Sequence, residues 1–183
     1  MDLSERLVQS ICEEFPRFRV VPKRGNALSR VIDVALKIVT LGAQREYLTL
    51  YHTVIGDTLF VPESWGQAGD IERAIVLRHE RVHLRQRRRY GTLGMAFLYL
   101  VPFFPLGLAY GRARLEWEAY EETLWATAEL LGLDAASALR DRIVSRFTRG
   151  AYGWMWPFRR SVERWVERAL RQIEASAENA GRA

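Results

Sequence analysis

The sequence predicts an α+β, mainly α-helical fold in one domain spanning 1–183, and three observations carry that expectation. Apolar residues recur at three- and four-residue spacing over most of the chain, the pattern of amphipathic helices. One short stretch, Tyr47 to Val61, is instead rich in β-formers around an Ile55-Gly56-Asp57 turn, the form of a hairpin. The length, 183 residues with 49% hydrophobic positions, suffices for one real core and leaves little for a second.

Taken in order, Leu3, Leu7, Val8 and Ile11 define a short amphipathic helix from Leu3 to Glu14 that Pro16 ends. Phe18 to Val21 suits a strand, whereas Leu28 to Leu41 fits helical and extended patterns alike before Gly42 stops it. Tyr47 to Val54 and Thr58 to Val61 form the two arms of the hairpin, closed by Pro62. Asp70 to Tyr90 is a bounded helix. Gly69-Asp70 offers an N-cap, Glu72 sits in the first turn, and Arg85, Arg87, Arg88 and Arg89 crowd the far end before Gly91, as the helix dipole favours. A second helix runs through Arg114 to Ala126, acidic and aromatic; Leu130 to Asp134 is a stop and restart. Further helices are expected at Ala135 to Phe147 and Pro157 to Ala175, with Ser176 to Ala183 fraying. Between them Tyr152-Gly-Trp-Met-Trp-Pro157 is an aromatic knot suited to packing or to an interfacial anchor.

Thr92 to Gly111 carries no charge and is long enough to cross a bilayer. Pro102 and Pro105 interrupt it at the middle, and halves of about ten residues rise only ~15 Å each as helices. An apolar hairpin insert at 92–111 is therefore expected. Its flanks are basic on both sides, Arg85 to Arg89 and Arg112 with Arg114, as suits two ends on one membrane face beside anionic headgroups. Burial of the insert in the protein's own core is the other reading.

The net charge of +5 comes from arginine, since Lys23 and Lys37 are the only lysines. Such a balance suits anionic lipid or other anionic partners without choosing among them. Cys12 stands alone, so no internal disulfide forms, and the charged start Met1 to Arg6 lacks the apolar run of a secretory signal. A cytoplasmic protein, in contact with the inner face of the membrane if the insert dips into lipid, is the expectation.

The most informative residues are His79-Glu80-Arg81-Val82-His83. Side chains four apart on a helix lie about 40° apart around the axis, so His79 and His83 project from one face on consecutive turns and can grip one metal ion. Glu80 stands about 60° from His83 by the same period, close enough to hold a water beside that ion. The spacing points to zinc-assisted hydrolysis with Glu80 as general base. Only three histidines exist in the chain, and the third, His52, falls in the hairpin, where a structural role is expected.

A third ligand is expected from the helix that begins at Arg114, because two histidines and a carboxylate leave zinc a fourth position for water. Glu116-Trp117-Glu118-Ala119-Tyr120 resembles the Glu-aromatic-x-Ala-Asp segment of the zinc peptidases that include the CAAX prenyl proteases and the HtpX heat-shock protease. Together with the His-Glu-x-x-His run, the resemblance covers about 40 residues. It implies a zincin-like fold with a small sheet beside the metal helix, a gluzincin-type zinc metallopeptidase activity, and Glu116 as metal ligand. Ala119 would be the small residue that lets two helices approach. The family's Asp, which orients a ligand histidine, stands here as Tyr120. Glu118 is the rival ligand, since Glu118-Ala119 with Glu122 also resembles thermolysin's Glu-Ala-x-x-Asp order. The neighbouring Glu121 and Glu122 suit a solvated acidic face, and Tyr120 and Tyr152 are candidate donors to an oxyanion.

The metal set expected is thus His79, His83 and Glu116 holding Zn²⁺, with Glu80 catalytic and a peptide or protein as substrate. The peptide would lie extended along an edge of the sheet near Tyr47 to Val61. Peripheral membrane contact through 92–111 is a further partner open to it, and nucleic acid is the less expected one. Two other classes stay open: a non-catalytic zinc-binding regulatory or interaction protein, and a basic membrane-surface or nucleic-acid-binding module in which the motif is coincidental.

Overall fold

A computed structural model describes residues 1–23, 52–100, 110–149 and 155–181. The fold is α+β and mainly helical: α1 (Leu3–Glu14), β1 (Arg19–Pro22), β2 (Thr53–Ile55), β3 (Thr58–Val61), a 3₁₀ turn (Glu63–Gln67), α2 (Asp70–Leu100), α3 (Tyr110–Leu131), α4 (Leu133–Ala138), α5 (Arg140–Thr148) and α6 (Arg159–Ala180). The chain divides into two compact units, Met1–Arg89 and Tyr90–Ala183.

In the first unit the hairpin forms as its turn predicts, with β2 antiparallel to β3 and Gly56 at φ 61° in the turn, a backbone state that suits glycine. The arm from Tyr47 to Tyr51, like the stretch Leu28 to Leu41, lies outside the described residues. β1 pairs with β3 in parallel, giving the order β1-β3-β2. β3 is central, and Leu59, Phe60 and Val61 are all buried, as a strand covered on both faces requires. Leu59 and Val61 join Ile11 and Phe15 of α1, Phe18, and Leu77 and Leu84 of α2 in one apolar cluster.

Polar contacts at both ends of α1 fix it alongside α2. Asp70, the first residue of α2, accepts the Leu3 and Ser4 N–H groups at 2.8 and 2.9 Å, so its carboxylate satisfies the orphan donors of α1 while Gly69 precedes α2. At the other end Glu14 accepts from Arg81, Arg85 and Arg88 of α2 at 2.7, 2.9 and 3.0 Å. Hydrogen bonds from Arg85 and Arg81 hold its carboxyl down at about 2, against an ordinary 4.5. A depressed carboxylate stabilises the fold above its unfolded pKa and loses that contribution as pH falls from about 4.5 through about 2. Because Arg85 and Arg88 are more than half exposed, screening reduces the contribution to roughly 1–2 kcal/mol at pH 7. Unfolding free energies of wild type and Glu14→Gln from urea melts should therefore differ by that amount at neutral pH and converge as pH falls through about 2; a gap that does not narrow in acid would contradict the ionic account.

The bounds of α2 show how a glycine acts. Gly91 lies at φ 70° and breaks the helical geometry where a stop is expected, but helical turns resume and reach Leu100. The second unit begins there. Gly111, in the first turn of α3, has no room for a side chain: a Cβ would stand 2.8 Å from the Leu98 carbonyl oxygen. Gly111 thus lies against the backbone of Leu98, with 101–109 and hence Pro102 and Pro105 outside the described residues. No helix among the described residues is long and apolar enough to cross a membrane.

The rest of the second unit is a helical cluster of α3, α4, α5 and α6 around Ala113, Trp117, Leu124, Val144, Phe147, Val162 and Val166. Gly132, at φ 94°, makes the expected stop after α3. Two details differ from the sequence reading. The helix expected at Ala135 to Phe147 is two, divided at Leu139, and α6 continues through the segment expected to fray, as far as Ala180. Its extension includes Ala177, Glu178 and Ala180, all strong helix formers. From the aromatic knot, Trp156 stacks on Trp165 at 6.1 Å, a packing role, while Tyr152 lies outside the described residues.

Candidate metal centre

The first unit presents the histidine pair on a face of α2 turned away from its core stripe. Ala74, Leu77 and Leu84 are fully buried at i, i+3 and i+10, and His79 and His83 lie about 100° or more around the axis from Leu77 and Leu84. Both histidines are partly exposed. Their rings meet edge to face with centroids 5.1 Å apart, so two imidazoles occupy consecutive turns side by side as the spacing predicts. Glu80 falls between this face and the core stripe. It is 6% exposed, an unusual place for a carboxylate without chemistry to do or a partner to meet.

His83 is oriented by a residue that the sequence reading passed over. Its Nδ1 donates to Gln86 Oε1 at 2.9 Å, and Gln86 is 4% exposed. A hydrogen bond at Nδ1 fixes the tautomer that leaves the Nε2 lone pair available to an ion. The signal in the sequence was slight: Gln86 is the uncharged residue within Arg85-Gln-Arg-Arg-Arg89, three positions after His83.

In the second unit Glu116 lies on α3. The helix is buried on two faces, with Ala113, Trp117 and Leu124 on one and Leu115, Ala119 and Ala126 on the other, and Glu116 is partly buried between Leu115 and Trp117. Glu118, its rival, forms an ion pair with Arg114 one turn earlier at 3.5 Å. Ala119 is fully buried, the environment expected of a small residue at a close approach. Tyr120 packs edge to face on Phe147 at 5.6 Å. Glu121 is not the solvated acid expected: burial raises its carboxyl above the ordinary value.

His52 is partly buried in the first unit, with its ring 5.2 Å from that of Trp65 and its Nε2 buried without a hydrogen-bond partner. Burial, with a smaller contribution from the Lys23 charge, lowers its pKa to about 4, so it is uncharged at neutral pH. Compared with protein-family models, curated proteins and solved structures, the chain matches none.

Proposed function

We propose that the protein is a zinc-dependent peptidase in which His79, His83 and Glu116 hold the metal and Glu80 is the general base. The observation that carries this reading is the paired imidazoles of α2, one oriented by Gln86, with a nearly buried glutamate between them in sequence. Two histidines and a carboxylate, each partly exposed and each offering one donor atom, fit the nitrogen and oxygen preferences of zinc. Bound there, zinc would supply the Lewis acidity that lets water attack a carbonyl at neutral pH. Gln86 holds the His83 ring in its ligating tautomer. The Glu80 carboxylate takes a proton from the attacking water and returns it to the leaving amine nitrogen as the C–N bond breaks. Of the two candidate carboxylates on α3, Glu116 is taken as the ligand and Glu118, which pairs with Arg114 at 3.5 Å, as its rival.

Removal of the metal tests the reading. Zinc-reconstituted protein should hydrolyse an unstructured peptide, lose more than about 99% of that rate on chelation, and recover it on adding zinc, as general acid–base steps worth 10²–10⁴ and a metal of similar weight demand. Hydrolysis indifferent to chelation would refute it. The same reading includes peripheral membrane contact at 92–111, which the 86% exposure of Leu93 and 64% exposure of Phe97 support. Sedimentation with phosphatidylserine vesicles should fall at least fivefold on Leu93→Asp with Phe97→Asp, since a charge at the bilayer interface opposes burial; equal sedimentation of the double variant would exclude contact there.

A further inference from the structure

A cavity of about 250 Å³ opens in the first unit, lined by His52, Trp65, Ala68, Glu72 and Val76 among others. Two of these come from α2, and they continue the histidine stripe. Glu72, Val76, His79 and His83 follow i, i+4, i+7 and i+11, so all four lie within about 60° of one another around the axis. At 1.5 Å per residue, Val76 stands about 4.5 Å along the axis from His79 and Glu72 about 10 Å.

We propose that this cavity is the subsite for a lysine or arginine side chain of the peptide substrate, one residue from the bond cleaved. The inference rests on the peptidase reading and adds its specificity. An extended peptide advances about 3.3 Å per residue. For a peptide that runs along α2 toward its N-terminus, the side chain next to the scissile bond enters beside Val76, and a long one is needed to reach Glu72. Trp65, Ala68 and Val76 suit an aliphatic stem, and the indole suits a cation near its face. Glu72 is exposed, and no ion pair or hydrogen bond engages its carboxylate among the described residues. His52 adds no opposing charge, being neutral at pH 7, and Lys23 is not among the lining residues.

Peptides varied at each position around the cleaved bond test this in zinc-loaded wild type, Glu72→Gln and Glu72→Lys. Wild type should prefer a basic residue over leucine at one adjacent position by about tenfold in kcat/KM, the weight of one charge-assisted contact. Glu72→Gln should cut that ratio to about threefold or less, and Glu72→Lys should invert it. Cleavage with leucine or phenylalanine preferred there, or with a basic preference that Glu72→Gln leaves intact, would overturn the subsite while the peptidase stands. If no peptide is cleaved, the peptidase reading fails. The Trp65 indole N–H resonance then decides the cavity: a shift on titrating a lysine peptide, absent in Glu72→Gln, retains it as a basic side-chain site, and no shift removes it.

Discussion

Glu80→Gln should lower kcat for peptide hydrolysis by about 10²–10⁴, or roughly 3–5 kcal/mol of transition-state stabilisation, while leaving zinc bound. The substitution preserves volume and replaces one carboxylate oxygen by an amide, so the 6% exposed site keeps its packing and loses its basicity. His79 and His83 remain on their face of α2 and Gln86 remains beside His83, so the metal content should stay within about 20% of wild type, as expected when neither the proposed ligands nor the residue that orients His83 is changed. Steady-state kinetics beside metal analysis separates the possible outcomes. A variant that keeps zinc and keeps more than a third of its rate would assign the proton transfer elsewhere, and one that loses zinc would make Glu80 a structural support of the site.

Phe147→Ala should destabilise the second unit by about 3–5 kcal/mol, a large share of the ~5–15 kcal/mol that holds a domain folded. Phe147 is fully buried on α5 and its ring meets Trp117, Tyr120 and Trp165 at centroid distances of 6.3, 5.6 and 6.2 Å. Truncation removes three aromatic contacts together and leaves a cavity that rigid rings fill poorly. Two of those partners, Trp117 and Tyr120, lie on α3, so the residue that flanks Glu116 loses its support. Urea unfolding followed by tryptophan fluorescence reads the loss, with Phe158→Ala, 52% exposed, as a control expected to cost under about 1 kcal/mol. Equal midpoints for the two variants would contradict the placement of this core.

The sequence made the parts of this architecture that depend on near neighbours legible. α1 begins and ends as its pattern predicts because Pro16 and the apolar spacing act within a few residues. Gly56, Gly91 and Gly132 mark breaks because each takes a positive φ, and the hairpin follows from the first of them. The histidine pair was legible for the same reason, since helical periodicity alone puts His79 beside His83. Contacts between distant segments were not. Nothing local announces that β1 pairs in parallel with β3, that Asp70 caps α1 67 residues earlier, or that Glu14 gathers three arginines from α2. Gln86 was hidden by its setting. Within a run of arginines it resembles solvated surface, yet it is among the buried polar residues and holds the His83 ring.

The claim on which the account rests is that two imidazoles from α2 and a carboxylate from α3 hold one ion. Metal analysis of the purified full chain tests it most directly, comparing wild type with His79→Ala, Glu116→Ala and Glu118→Ala. The account predicts one zinc per wild-type chain, retained by Glu118→Ala and reduced at least tenfold in affinity by each of the other two, the usual scale for a lost ligand. Wild-type protein without stoichiometric zinc, or zinc unaffected by His79→Ala and Glu116→Ala, would contradict it.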